Sequence, residues 1–320
     1  MKTLLTSITL LTFLFIFSCK KNSDQTPVIT AADTLTTGWS KIVFDKSEKF
    51  TDIFFNNNTN GYVTGNNTYK TVDGGLTWAQ IRKQRFENLS VTENGNAFFL
   101  NWDSVYKSSD GFASFNGFGG SNILQDIFFI NNENGYLRNL TGLYKTVDGG
   151  ATWKILSTNL PIGQVGSYSP LYFLDSTHGF TTFDNKIYKT EGSSSNWVAS
   201  VITETPTSSK LSFVFAASLN NVYAVTRDLH FLKSTDGGAN FSLLNTFDGN
   251  FNGYNDIHFV DDNTGWVSAG NKIYKTIDGG NSWNVVVTLG DNSIFSELHF
   301  TDANHGWACG TNGVVLLFKL

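Results

Sequence analysis

One phrase recurs along this chain, Tyr-Lys-Thr-x-Asp-Gly-Gly-x-Thr-Trp, and its recurrence constrains the fold more than any other feature. Clean copies are Thr71-Val-Asp73-Gly74-Gly75-Leu-Thr77-Trp78, Thr146-Val-Asp148-Gly149-Gly150-Ala-Thr152-Trp153, Ser234-Thr-Asp236-Gly237-Gly238-Ala-Asn240-Phe241 and Thr276-Ile-Asp278-Gly279-Gly280-Asn-Ser282-Trp283. Two copies are worn: one around Asp110 lacks its second glycine, and one from Thr190 to Trp197 lacks the aspartate. Recurrence at about 40 residues marks a repeat array, each copy being one supersecondary unit that buries its faces against its neighbours.

Upstream of each copy lies an apolar run: Thr51-Asp-Ile-Phe-Phe55, Gln125-Asp-Ile-Phe-Phe129, Pro170-Leu-Tyr-Phe-Leu174, Leu211-Ser-Phe-Val-Phe215, Asn255-Asp-Ile-His-Phe259 and Glu297-Leu-His-Phe300. A weaker run, Asn88-Leu-Ser-Val-Thr92, fills the seventh place. Alternation with β-branched and aromatic residues predicts strands, and the Asn/Asp/Gly clusters between them predict turns. A second strand follows, as in Gly61-Tyr-Val-Thr-Gly65 and Gly306-Trp-Ala-Cys-Gly310. The third carries Tyr-Lys, and the fourth starts at the closing Trp or Phe. Four antiparallel strands per unit make a propeller blade, so an all-β, seven-bladed β-propeller is expected over residues 36–320.

The ends support a closed ring. The last unit stops at Leu320, where its fourth strand should begin, while Gly38-Trp39-Ser-Lys-Ile-Val-Phe44 resembles the fourth strands that start at Trp153 and Trp283. The N-terminal strand is therefore expected to complete the C-terminal blade, removing the sheet edges that template aggregation.

The recurring aspartates Asp73, Asp110, Asp148, Asp236 and Asp278 have a structural task. A short carboxylate accepts from N–H groups of its own turn, the glycines supply positive φ, and the aromatic anchors the next strand. A catalytic group is needed once, whereas these repeat around a ring.

The motif resembles the Asp-box, or bacterial neuraminidase repeat, Ser/Thr-x-Asp-x-Gly-x-x-Trp/Phe. The wider unit, from Phe259-Val-Asp-Asp-Asn-Thr-Gly265-Trp266 to Tyr274-Lys-Thr-Ile-Asp278-Gly-Gly280, is similar to the photosystem II stability and assembly factor family. That resemblance spans residues 38–320 and implies a seven-bladed assembly protein that is not an enzyme. The family's arginine-rich surface does not carry over, because only Arg82, Arg85, Arg138 and Arg227 are present.

The N-terminus reads as an address. Lys2 precedes an apolar stretch from Leu4 to Phe17 that ends in Ile16-Phe17-Ser18-Cys19. Such a stretch is short for a membrane span and fits a secretory leader. Its end resembles the bacterial lipobox, which implies cleavage before Cys19 and lipidation of that cysteine. Residues 1–18 are thus expected to be a lipoprotein signal peptide and residues 19–35 a polar flexible tether. Lys20, in place of a retention aspartate, favours the outer membrane, with the protein facing the periplasm or the exterior.

With Cys19 acylated, Cys309 stands alone and reads as a small buried hydrophobe. The five histidines show no metal-ligand spacing. No metal or cofactor is expected. The net charge is −5, and the chain has no basic stripe, which argues against a nucleic-acid partner. One lysine per unit (Lys70, Lys107, Lys145, Lys189, Lys233, Lys275 and Lys319) reads as a solvated edge of the third strands.

Recognition in such a ring belongs to residues that break the repeat. Arg138 replaces a small side chain at a strand end, and Trp102 with Asp103 puts an aromatic in a tight turn. Asp184, Arg227 and Asp228 occupy comparable turns, and the connectors 157–169 and 245–254 add Tyr168 and Tyr254. Aromatics beside charged groups suit protein or glycan recognition. The expected function is a monomeric, non-catalytic, lipid-anchored binding or assembly module. The alternative is a glycoside hydrolase of sialidase-like or related Asp-box type, whose chemistry needs an arginine cluster, a tyrosine nucleophile with a carboxylate partner, and an acid/base aspartate.

Overall fold

The computed structural model describes residues 32–92, 94–110, 116–119, 123–156, 159–161, 170–183, 185–192, 195–203, 210–247 and 256–320. Cys19 and the rest of the expected leader lie outside them. Among the described residues the strands form seven sheets and no helix, hence none that could cross a membrane.

Blade 1 comprises Phe50–Phe55, Gly61–Gly65, Thr68–Thr71 and Ala79–Arg82. Blade 2 comprises Asn88–Val91, Ala97–Leu100, Ser104–Ser108 and Asn116–Gly119, and blade 3 Leu124–Phe129, Gly135–Asn139, Gly142–Thr146 and Lys154–Leu156. Blade 4 is Leu171–Phe173, Gly179–Phe183, Lys186–Thr190 and Val198–Ala199; blade 5 is Leu211–Ala216, Val222–Thr226, His230–Ser234 and Asn240–Thr246. Blade 6 is Ile257–Phe259, Gly265–Ala269, Lys272–Thr276 and Asn284–Thr288.

Blade 7 takes Phe295–Asp302, His305–Gly310 and Val314–Lys319 from the C-terminus and Trp39–Val43 from the N-terminus. Trp39 pairs with Phe318 and Val43 with Val314, antiparallel, as the sequence led us to expect. The inner strands of blades 7 and 1 touch, so the ring is closed. Thr34–Leu35 pairs along Asn284–Thr288 of blade 6. Four residues of the expected tether, 32–35, are thus part of the ordered ring. The backbone there finds free ladder groups on an outer strand.

Sequence dictates a gradient of burial across each blade. Second strands are buried along their whole length in blades 1, 3, 5 and 6, because neighbouring blades cover both faces. Outer strands such as Ala79–Arg82 are largely exposed. Blades are joined by stacked rings. An aromatic near the start of one blade's second strand lies on the inner-strand phenylalanine of the next: Phe98 on Phe129 at 3.8 Å, Tyr136 on Phe173 at 4.0 Å, Tyr223 on Phe259 at 3.9 Å, Trp266 on Phe300 at 3.7 Å and, across the closure, Trp307 on Phe55 at 3.5 Å.

The recurring lysines belong to this joint rather than to an exposed edge. The third strand is interior to each four-stranded sheet, so it has no edge to protect. Lys70, Lys107, Lys145, Lys233 and Lys275 instead lie 5.0–5.6 Å from the second-strand ring of their own blade. Lys107 Nζ donates to the Gly149 carbonyl of the next blade at 2.6 Å and Lys233 Nζ to Gly279 at 2.8 Å. At the closure, Trp307 Nε1 makes the corresponding bond to Gly74 O at 2.8 Å.

The joint also explains a size exchange. A Cβ on Gly135 would lie 2.7 Å from the Phe129 ring, and one on Gly265 2.5 Å from Phe259. Where the inner residue is smaller, the glycine is replaced: blade 2 has Val91 with Ala97, and blade 5 has Ala216 with Val222.

Candidate functional site

The two ends of the ring differ in chemistry. At one end each aspartate turn closes on itself. Thr71 Oγ1 accepts from Gly75 N at 2.9 Å and donates to Asp73 Oδ1 at 2.8 Å, and Asp73 Oδ1 also accepts from Thr77 N at 2.9 Å. Asp148, Asp236 and Asp278 repeat this geometry, and Ser108 Oγ donates to Asp110 Oδ1. The hydroxyl and backbone donors of Thr77 hold the Asp73 carboxyl down to about 2, and equivalent donors do the same at Asp148, Asp236 and Asp278. Gly74 and Gly75 have φ of +76° and +92°, and a Cβ on Gly75 would sit 3.0 Å from Trp307 of the preceding blade. These carboxylates are saturated by their own turns, which leaves them poor acids or bases.

At this end the joint between blades 4 and 5 is looser. Ala216 stands where blades 1, 3, 4, 6 and 7 have phenylalanine, and a cavity of about 230 Å³ opens beside Phe180, His178, Lys189, Glu191 and Asp236. Lys189 is held there by Glu191 at 2.6 Å, and His178 by Asp175 at 2.8 Å.

The opposite end carries the loops between second and third strands. Trp102 stands there 62% exposed, on a turn whose backbone Asp103 N and Ser104 N are accepted by Asn101 Oδ1. Asp103 is exposed and accepts from Ser104 Oγ at 2.9 Å. Arg227 is exposed, while Asp228 faces His230 Nδ1 at 3.1 Å in a turn where buried Leu229 takes a left-handed φ of +65°. Blades 2 and 5 lie three steps apart, so Trp102 and Arg227 flank the ring axis rather than forming one patch. Tyr168, Asp184 and Tyr254 lie outside the described residues. Arg138 does not reach the surface: it is 2% exposed, donates Nη2 to Pro161 O at 3.3 Å, and faces Asp126 across the strand pair. Burial lowers its guanidinium to about 10, opposed by the Asp126 charge.

The axis itself holds groups that the sequence reading passed over. Side chains of the inner strands line a central channel of about 330 Å³. Nearest the loop end are Asp52, Asn88, Asp126, Asp256 and Glu297. Each of three aspartates clips its blade to the next: Asp52 accepts from Leu89 N at 2.8 Å, Asp126 from Leu171 N at 2.6 Å, and Asp256 from Leu298 N at 2.8 Å. Burial pushes all three up to about 7, against the pull of these N–H donors. Glu297 is raised too, by burial and then by the neighbouring Asp256 and Asp52 charges.

Two residues further along the same strands, on the same face, a second level is aromatic. Phe54, His299, His258, Phe215, Tyr172 and Phe128 follow one another around the wall with centroids 4.5, 5.4, 5.1, 4.7 and 5.7 Å apart. Ser90 holds the blade 2 place, where its hydroxyl accepts from Phe129 N. Burial lowers His258 to about 3, with help from His299, and lowers His299 to about 4. His299 Nε2 meets Phe55 O at 2.8 Å, and Tyr172 Oη donates to Ala216 O at 3.0 Å, so both reach the adjacent blade. A signal for the carboxyl level did exist: an acidic residue stands first or second in the otherwise mostly apolar runs at Asp52, Asp126, Asp256 and Glu297. Among the described residues no group of three His, Cys, Asp or Glu is arranged to hold a metal ion.

A closed ring of seven four-stranded antiparallel blades around such a channel defines a seven-bladed β-propeller. Solved structures share it. The chain is similar to YCF48 bound to D1 peptide, with TM-score 0.72 and 18% identity over 89% of this chain and 97% of that one. It is similar also to YCF48 from Cyanidioschyzon merolae, with TM-score 0.69 and 18% identity over 88% and 99%. A GH74 xyloglucanase from Xanthomonas campestris matches with TM-score 0.67 and 13% identity over 88% of this chain but 53% of its own. No family model matches the chain, and no curated protein does.

Proposed function

We propose that this chain is a non-catalytic recognition module that binds a protein partner at the loop end of its propeller. The observation that carries this reading is the neighbour solved with a D1 peptide, almost the whole of which corresponds to this single ring. Lipidation of Cys19 would hold the propeller at the cell envelope, on the outer membrane, where an assembly or binding role fits. Glycoside hydrolysis is the second reading, because a xyloglucanase shares the fold. This chain spans about half the length of that enzyme, and the aspartates of its turns are engaged by their own backbone.

A photo-crosslinker at Trp102 or Arg227 should capture one envelope protein in cells, whereas one at Val72 or Ile277 on the aspartate-turn end should not. Capture from the aspartate-turn end alone would overturn the choice of face. Release of reducing sugar from xyloglucan or a sialoside by the purified protein, abolished by Asp256→Asn, would establish the enzyme instead. For the anchor, Cys19→Ser should lose fatty-acid labelling and leave the membrane fraction; equal labelling of the variant would refute lipidation.

A further inference from the structure

The channel combines three features that select one chemical class of ligand. Its volume of about 330 Å³ lies at the small end of ligand pockets, enough for one long side chain and too small for an oligosaccharide. Its upper level carries acceptors from blades 1, 2, 3, 6 and 7, with Phe213 in the blade 5 place, and among the described residues that line it none is Lys or Arg. Its lower level, about 7 Å deeper at two residues along a strand, is a near-continuous wall of ring faces and edges.

The acidic groups cluster in neighbouring blades. Asp256, Glu297 and Asp52 come from blades 6, 7 and 1, while His258, His299 and Phe54 lie below them in the same three blades. Asp126, on the far side, already faces Arg138. An independent sign comes from Asn88. Asn88 lines the same channel, and its carboxamide oxygen is buried and accepts no hydrogen bond within the protein. A buried acceptor without a donor costs free energy that a ligand N–H recovers.

We propose that the channel mouth is a receptor for a guanidinium or alkylammonium side chain of the protein partner, seated between Asp256, Glu297 and Asp52 above and Phe54, His258 and His299 below. The carboxyl groups and Asn88 Oδ1 accept from the cation's N–H donors, and the aromatic rings beneath them stack on its planar or charged head. The proposal rests on the reading of this end as the recognition face, and it names the partner's anchor residue.

The test uses N-acetyl-arginine amide and its citrulline counterpart, which keeps the shape and loses the charge, titrated into the full-length protein by calorimetry. The arginine compound should saturate a single site and the citrulline compound should bind roughly tenfold or more weakly. Glu297→Gln should weaken the arginine compound by a comparable factor, while Glu297→Asp, which keeps the charge, stays within a few-fold. Equal affinity for both compounds, no saturable binding, or full affinity in a folded Glu297→Gln protein would each overturn the proposal. So would spermidine binding more tightly than a heptapeptide centred on arginine, since that would make the ligand a free polyamine. Trp102→Ala separates the two readings: it should abolish partner capture yet leave the affinity for N-acetyl-arginine amide unchanged. Capture that persists when the channel binds no cation would retain the recognition face and remove only its anchor.

Discussion

At the scale of single residues, the most conspicuous groups in the sequence and the most consequential ones differ. The repeating aspartates lie at the surface, while the hydroxyls that open their turns are buried: Thr71 is 2% exposed and Thr146 1%. Thr71→Val should therefore strand Gly75 N and cost about 1–3 kcal/mol, read by urea denaturation. Asp148→Ala should lower the thermal midpoint without altering partner binding. The channel groups couple stability to pH in opposite senses. His258 and His299 fold at about 3 and about 4 against an ordinary 6.5, so stability present above 6.5 is lost as pH falls through that window. Asp52, Asp126 and Asp256 move from 3.8 to about 7, so stability that is full below 3.8 is lost as pH rises toward neutrality. Relative to wild type, His299→Gln should thus gain stability on going from about pH 7 to about pH 5, and Asp126→Asn should lose it over the same change. Parallel denaturation curves at the two pH values check both directions.

At the scale of elements, the unit of stability is the joint between blades. A second-strand ring, an inner-strand phenylalanine, a lysine and the second glycine of the next aspartate turn meet there, and none of them acts within one strand. The exchange of Gly135 with Phe129 for Val222 with Ala216 gives a quantitative test in blade 6. Gly265→Val should cost about 1–3 kcal/mol by overpacking and Phe259→Ala about 3–5 kcal/mol by leaving a cavity beside Tyr223. Together they should cost less than the sum, by about 0.5–3 kcal/mol, because each relieves the other. Additive costs in the double-mutant cycle would show that the two side chains do not compete for the same space.

At the scale of the whole molecule, closure depends on five residues from the far end of the chain. Trp39 is 7% exposed and packs on Phe318 at 5.0 Å and edge-on to Phe300 at 6.2 Å. Trp39→Ala should cost about 3–5 kcal/mol. Deleting residues 38–44 should open the outer edge of blade 7 and produce concentration-dependent association, measured by light scattering. A monomeric deletion variant with an unchanged thermal midpoint would mean that the ring is held shut by the inner strands alone. Arg138 also acts at this scale. Buried between Asp126 and the Pro161 connector, it should reveal itself through a lowered midpoint in Arg138→Ala and not through lost surface contacts.

The sequence by itself determined the repeat, the four strands of each blade, the number of blades and the strand that closes the ring. Those properties depend on turn chemistry and alternation within a few residues, such as Thr71 to Thr77, or on the match between two ends of one pattern. Placement across blades was not legible. Asp52 and Asp256 passed without remark inside their strand runs, the lysines looked like an exposed edge, and Arg138 like a recognition residue at a strand end. Only the closed ring decides which face of seven inner strands turns toward a common axis. It brings Asp256, Glu297 and Asp52 together from positions far apart in the chain, because desolvation and charge coupling depend on distance in space and not on separation in sequence.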